Sequence, residues 1–274
     1  MNSFLPPILL EPFIIRALIA AAILAVTGGI LGSFIQMRGM SFYTDTISHS
    51  AFTGVALGVL FGLDVSYTAI VFAIAIGILV LEIRKRTSLS FDTVLGVLFA
   101  SIAALGLFIL TFLNNVRVDL FGLLFGDILA LSNTDVIVIG VAALIVLGII
   151  WSIRQQLILE IIHPDLATVE GIDTRRNDII FGIVVATMIA LGIKLIGIIL
   201  LSGLFLIPSA TSYLIAKSFR DLIAGAVISG FISALAGVVI STQLDTATGP
   251  TIVLAASALF VISYFMRPLI KTNV

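Results

Sequence analysis

The sequence predicts an all-α polytopic membrane protein, because its composition suits lipid better than water. Of its 274 residues, 60% are hydrophobic and only 11% are charged, and the mean hydropathy is +1.28. A soluble domain has about 45–50% apolar and about 25% charged residues, so this chain has too few polar side chains to cover an ordinary core. The composition therefore excludes a soluble globular enzyme, a nucleic-acid-binding protein and a disordered chain.

Apolar stretches of spanning length recur along the whole chain. A transmembrane helix needs about 20 mostly apolar residues. Nine stretches approach this length: 17–37, 44–62, 66–82, 92–113, 135–153, 178–193, 195–216, 222–242 and 250–266. The two stretches on either side of Lys194, 178–193 and 195–216, can also form one span plus a broken or re-entrant segment. We therefore expect eight or nine crossings. A tenth apolar patch, 120–131, carries Asp127.

The basic residues predict the orientation of these spans. If nine segments cross with the N-terminus outside, the inner loops carry eleven lysines and arginines and the outer loops carry three. This positive-inside bias places the C-terminus in the cytoplasm. The N-terminus lacks the basic start and small-residue cleavage site of a signal peptide, so we interpret it as the start of the first helix. We expect a single integral-membrane domain over 1–274.

One long polar connection, 154–178, is placed in the cytoplasm by this count. Its middle has the pattern of a short capped helix. Pro164 suits the first turn, where its missing N–H costs nothing, and Gly171 suits a left-handed C-terminal position. Two interpretations stay open: a solvated connection between two spans, or a docking helix for a cytoplasmic partner.

Ionisable residues at the start of the second span are candidates for function, because charge is costly in a membrane. Asp45 and His49 are four residues apart and share one helix face, with Ser48 adjacent. A carboxylate oxygen and a neutral imidazole nitrogen suit divalent first-row cations. The alternative is a hydrogen-bonded pair that serves helix packing. Zinc prefers about four ligands, so a metal site would need two copies meeting across a dimer axis.

Polar residues elsewhere give weaker signals. Pro208 removes a backbone donor and is expected to break its helix, which would leave Ser209 and Thr211 free to line a polar path. The alternative is a simple proline kink. Asp245 either gathers cations at the outer mouth or caps a turn, and we favour the cap. Asp127 lies at a depth that the sequence does not fix.

Several motifs of enzymes are missing from the chain. It has no G-x-x-x-x-G-K-[ST] motif, so it does not bind nucleotide through a P-loop. It has no H-E-x-x-H motif, two histidines in all and no cysteine, which disfavours a zinc hydrolase and excludes thiolate metal sites. Three functional classes stay open at this point: an ion-coupled secondary metal transporter, a membrane-embedded metal-dependent enzyme and an assembly subunit.

A series of short motifs then follows in a fixed order from about Leu31 to about Phe265. They are Leu31-Gly-Ser-Phe, Met37-Arg-Gly-Met-Ser-Phe, Asp45-Thr-Ile-Ser-His49, Gly54-Val-Ala, Asp92-Thr-Val-Leu-Gly96, Asn115-Val-Arg-Val-Asp-Leu120, Leu124-Phe-Gly-Asp-Ile-Leu-Ala130, Pro164-Asp-Leu-Ala with Gly171, Leu206-Ile-Pro-Ser-Ala-Thr211, and Asp245 with Thr248-Gly-Pro250. Together they resemble the membrane permease of bacterial zinc/manganese ABC importers, the ZnuB-type family. One departure is Thr53-Gly54, where many relatives have Pro-Gly.

The resemblance implies an ABC importer permease fold in the bacterial plasma (inner) membrane. It implies a homodimer that carries a separate cytoplasmic ABC ATPase, so the chain itself is no enzyme, and an extracytoplasmic metal-binding protein as a further partner. Asp45 and His49 then correspond to a metal-contacting pair in the translocation path. The coupling helix that fits the ATPase corresponds to Pro164, Asp165, Leu166, Ala167, Glu170 and Gly171.

The expected cargo is Zn²⁺, a transported substrate and no permanently bound cofactor. The stretch 115–130 resembles the zinc branch of the family more than the manganese branch. A manganese or iron importer of the same family is the alternative. Because the imidazole must be neutral to bind a cation, metal binding is expected to weaken as the pH falls through the range in which histidines ordinarily take up a proton.

Overall fold

A computed structural model describes residues 11–112, 125–126 and 131–271 of the chain. In these residues it contains ten helices and no strand, which confirms the predicted all-α class. The helices are α1 (Pro12–Met37), α2 (Ser41–Phe61), α3 (Val65–Arg86), α4 (Phe91–Leu110), α5 (Asn133–Ile162), α6 (Pro164–Val169), α7 (Thr174–Ile196), α8 (Ile198–Ile215), α9 (Phe219–Leu244) and α10 (Thr248–Lys271).

Seven of the described helices are long and apolar enough to cross a membrane: α1, α3, α4, α5, α7, α9 and α10. The expected count of eight or nine is slightly higher than this. The two further long helices are α2, which carries Asp45 and His49, and α8, which has 18 residues and is mostly apolar. The chain is thus a multi-pass membrane protein. Most of the apolar patch 120–131, including Asp127, lies outside the described residues.

Contacts divide the chain into two compact units. The first comprises Met1–Gly39, Asp119–Ala143 and Gly192–Val274, and the second comprises Met40–Val118 and Leu144–Leu191. Two of the boundaries fall inside α5 and α7, and another lies between α1 and α2. A single permease domain over the whole chain stays a prediction.

In the first unit, α1 packs against α8 and α9, and α10 packs against the same two helices. Glycines on α1 allow this close approach. A Cβ atom built on Gly29 would lie 2.8 Å from the Cα atom of Val227, and one built on Gly32 would meet the Phe205 carbonyl. Small residues bring helix backbones together in lipid, where packing rather than water exclusion drives helix association.

Gly29→Ala is therefore expected to lower the free energy of unfolding by about 1–3 kcal/mol, because the new methyl group must push the α9 backbone away. Gly96→Ala is the matched control, since nothing lies within 4 Å of its added methyl group. That variant should be neutral or up to about 1 kcal/mol more stable. Unfolding of the two purified variants in the same detergent measures the difference, and equal stabilities would contradict the close α1–α9 contact.

In the second unit, α2 packs against α3 and α4. The phenol of Tyr43 is fully buried, and its hydroxyl donates a hydrogen bond of 3.2 Å to the Gly182 carbonyl on α7. On the α4 side, the Thr53 hydroxyl donates to the Ile102 carbonyl at 2.8 Å. This hydrogen bond links α2 directly to α4.

The break between α7 and α8 falls at Gly197, which has a positive φ of 86°. The expectation of a break at Pro208 is wrong, because α8 runs through that proline. Neighbouring hydroxyls support the backbone there: Ser209 donates to the Phe205 and Leu206 carbonyls, and Ser229 of α9 donates to the Pro208 carbonyl at 3.2 Å. The N–H that Pro208 lacks would have donated to the Leu204 carbonyl, and these hydroxyls bond to carbonyls that follow it in the helix.

The polar connection 154–178 is mostly helical. Its first residues continue α5 to Ile162, and its last residues begin α7 at Thr174. The helix therefore continues beyond the predicted span 135–153. A change from apolar to polar side chains marks the edge of lipid and does not end a helix, because arginine, glutamine and glutamate are good helix formers. Where the change occurs, the exposed Trp151 ring lies 3.7 Å beneath the Arg154 guanidinium.

Candidate metal-translocation site

The two residues of the predicted metal pair lie on the first turns of α2. Asp45 and His49 are both half-buried, whereas the residues between them, including Ser48, are buried. One face of the helix thus packs inward and the other leaves the carboxylate and the imidazole partly accessible. The i, i+4 spacing brings the two side chains onto neighbouring turns of that face.

The surroundings of the pair are apolar on one side and open on the other. The His49 ring packs edge-to-face on Phe99 of α4, with centroids 4.5 Å apart and an interplanar angle of 74°. Phe99 was not predicted from the sequence, because no pattern links residues on separate helices. Within the described residues, the Asp45 carboxylate makes no hydrogen bond or ion pair, so it is not used there to tie helices together.

The hydroxyl groups proposed to line the path are engaged with helix carbonyls. Ser48 donates to the Thr44 carbonyl at 2.9 Å, and Thr211 donates to the Ile207 carbonyl at 2.7 Å. Ser209 also donates to the side-chain oxygen of Gln36 on α1, at 3.1 Å. Gln36 is a further polar group within the first unit that the sequence did not single out. A pathway role for these hydroxyls stays a prediction.

The two outlying acidic candidates have different positions. Asp245 is the exposed C-cap residue of α9, in the left-handed conformation with φ 51°, and its backbone N–H donates to the Ser241 carbonyl. Asp127 lies outside the described residues. Across the described part of the chain, no three histidine, aspartate or glutamate side chains converge on one point. Asp45 and His49 therefore supply at most two ligands from this part of one chain, which suits brief contact with a cation better than permanent binding.

The short helix predicted in the long connection is present as α6. Pro164 occupies its first turn, and Gly171 follows its C-terminal end with a φ of +73°. Two apolar side chains project outward: Leu166 is 45% exposed and Val169 is 83% exposed. Ala167, by contrast, is fully buried and attaches the helix to the rest of the chain. Val169 was overlooked in the sequence, since only a three-dimensional arrangement distinguishes outer from inner faces of so short a helix.

Polar contacts hold the segments on either side of α6. Asn177 on α7 donates to Glu160 near the end of α5 at 2.6 Å, and Arg175 on α7 bonds to Glu82 near the end of α3 at 2.6 Å. A third contact joins Lys85 and Asp178 at 3.5 Å. The segments beside α6 are therefore joined to α3, and α3 packs against α2, the helix that carries Asp45 and His49.

The chain combines helices of spanning length with a polar pair on α2 and a short helix whose apolar side chains are exposed. These features define a polytopic membrane transport protein. The family is shown directly by comparison with known proteins: the chain belongs to the ABC 3 transport family, whose model matches residues 11–267.

Three similar proteins illustrate this membership. The high-affinity zinc uptake system membrane protein ZnuB of Haemophilus influenzae is 36% identical over 251 residues, covering 92% of this chain and 96% of that protein. The manganese transport system membrane protein MntC of Halalkalibacterium halodurans is 30% identical over 268 residues, covering 98% and 92%. PsaBC from Streptococcus pneumoniae, solved in complex with Fab, matches with a TM-score of 0.82 and 31% identity, covering 96% and 94%.

These comparisons confirm the family predicted from the motifs, the ABC permease fold and the location in the inner membrane. The named relatives are membrane subunits of transport systems, and this chain is likewise a transport component.

Proposed function

We propose that this chain is the transmembrane subunit of an ATP-driven importer that carries zinc into the cytoplasm. The observation that carries the proposal is the partly accessible Asp45–His49 pair on α2, whose carboxylate has no partner within the described residues. Relatives named for zinc and manganese support a divalent metal as cargo. Among such metals, a carboxylate–imidazole site favours zinc over manganese and ferrous iron.

Two copies of the chain complete the site. A homodimer brings two carboxylates and two imidazoles to one axis, which matches the tetrahedral preference of zinc. An extracytoplasmic binding protein delivers the cation to the outward-open dimer, where the ionised carboxylates and neutral imidazoles receive it. The contact is brief, because a permease that held zinc tightly could not release it inward.

A separate cytoplasmic ATPase supplies the energy through α6. Closure of the two ATPase subunits around ATP moves the exposed surface of α6, and the Arg175–Glu82 contact transmits this movement to α3. Since α3 packs against α2, the turn that carries Asp45 and His49 moves as well. Nucleotide binding thereby shifts the dimer between its outward- and inward-open states, through contacts that differ between the two.

Uptake of labelled zinc and labelled manganese tests this function. Cells that lack their own importers would express the chain with its ATPase and binding protein, and the control would carry an ATPase unable to hydrolyse ATP. We expect zinc to enter in preference to manganese and the control to take up neither. Preferred entry of manganese would contradict the choice of cargo. Uptake that continues without hydrolysis would contradict an ATP-driven importer and indicate an ion-coupled transporter.

A further inference from the structure

A cavity of about 400 Å³ lies at one end of the first unit. It is found where α1 ends at Met37, where α8 is followed by Lys217 and α9 begins at Phe219, and beside Arg267 near the end of α10. Its volume falls within the range of ordinary small-ligand sites, about 300–1,000 Å³. The Asp45–His49 pair belongs to the second unit and has no part in it.

Among the described residues, two cations and no carboxylate line this cavity. Lys217 and Arg267 are both exposed, and within the described residues neither makes an ion pair or a hydrogen bond. A cavity with two positive groups and no described counter-ion attracts an anion, and a phosphate oxygen suits both an ammonium and a guanidinium.

Apart from Ser218 and the phenol of Tyr213, the remaining lining is apolar. Met37, Phe219 and Leu222 supply hydrocarbon surface, and Leu222 is buried. A free inorganic anion gains nothing from contact with such a lining, whereas a molecule with an anionic headgroup and an apolar body contacts both the charged and the apolar part of the cavity.

The position of the cavity gives the depth at which its ligand lies. Three of the helices at this cavity, α1, α9 and α10, are of membrane-spanning length, so their ends reach the level of the lipid headgroups. Tyr213, which lines the cavity, is 55% exposed, and tyrosine is enriched at this interface. Basic pockets between membrane helices on the cytoplasmic side are known to receive anionic headgroups.

We propose that this cavity binds an anionic phospholipid. Lys217 and Arg267 contact the headgroup phosphate, and Met37 and Phe219 contact the first carbons of the acyl chains. The site is independent of the transported metal, and the proposal does not rest on the proposed function.

Lipid binding to the purified full-length chain tests the site. Delipidated protein in detergent would be titrated with phosphatidylglycerol, with phosphatidylcholine and with inorganic phosphate, and bound molecules would be counted by native mass spectrometry. We expect phosphatidylglycerol to bind with a preference over phosphatidylcholine. Lys217→Glu and Arg267→Glu should each weaken that binding about fivefold or more, since each removes one cation near the surface. Arg220→Glu makes the same change of charge at an exposed residue that does not line the cavity, and it should have little effect.

The neutral variants Lys217→Gln and Arg267→Gln repeat the test if a charge reversal unfolds the chain, which the thermal unfolding of each variant reveals. An equal loss in Arg220→Glu would overturn the proposal, because the lipid would then respond to overall surface charge. Equal binding of phosphatidylcholine, or displacement of the lipid by inorganic phosphate, would overturn it too. So would release of the ATPase by Lys217→Glu with lipid binding unchanged, since the cavity would then be a protein contact.

Discussion

Replacement of His49 by alanine is expected to reduce zinc import by at least about 10–100-fold, the range seen when even the supporting groups of a metal site are lost. Asp45→Ala should have a similar effect, because each copy of the chain then offers one ligand in place of two. The two side chains differ in one respect: His49 also packs on Phe99, so its loss removes an aromatic contact as well as a ligand.

Asp45→Asn tests the charge of this side chain separately from its shape, because the amide has the size of the carboxylate but binds a divalent cation more weakly. Ser50→Ala is the matched control on the same helix: its hydroxyl is buried and donates only to the Thr46 carbonyl, at 2.6 Å. Initial rates of zinc uptake at equal amounts of membrane-inserted protein give the comparison. Full import by both His49→Ala and Asp45→Ala would remove the pair from the translocation path and leave the family membership untouched.

Val169→Asp should abolish import by a different route, through loss of the ATPase. Val169 and Leu166 are the exposed apolar side chains of α6, and an unpaired carboxylate buried at an interface is strongly unfavourable. Central apolar anchors of interfaces contribute about 2 kcal/mol or more, so one such change weakens the complex about 30-fold. The measurement is the amount of ATPase that purifies with the tagged chain, together with zinc uptake.

Thr174→Asp is the control for this second result. It adds the same charge at an exposed residue where α7 begins, a position that favours acidic side chains, and it should leave the complex intact. Retention of the ATPase by Val169→Asp would show that α6 is not its contact. Ala167→Asp is informative in the opposite sense: because Ala167 is fully buried within the chain, its replacement should lower the yield of folded protein first.

Much of the fold follows from features that are local in the sequence. Long apolar stretches predict membrane helices wherever they occur, and Pro164 and Gly171 bracket α6 because each acts on the backbone beside it. Pro208 shows the limit of this reasoning, since a proline can lie inside a continuous helix when tertiary contacts such as the Ser229–Pro208 bond hold it in place. Gly197 was overlooked for the same reason: a glycine breaks a helix only where the surrounding packing requires a positive φ.

The candidate site was likewise predictable only in part. The spacing of Asp45 and His49 places them on one helix face, and their cost in lipid draws attention to them. Their neighbour Phe99 comes from another helix, and the Arg175–Glu82 contact joins residues 93 positions apart. Periodicity within one helix contains no information on such contacts, so the connection from α6 to α2 required the three-dimensional structure.

The stacked Trp151 has a practical consequence for spectroscopy. It is the single tryptophan of the chain, so near-ultraviolet emission excited at long wavelength comes from one ring per copy. That ring is exposed and lies under a guanidinium where α5 changes from apolar to polar side chains. Its emission wavelength and its quenching by brominated lipids therefore report on the membrane surface at this point. Zinc ions neither absorb light at these wavelengths nor quench the emission of tryptophan. In a complex with an ATPase whose own tryptophans have been replaced, a change in emission on adding nucleotide would therefore signal movement of the helix that leads into α6.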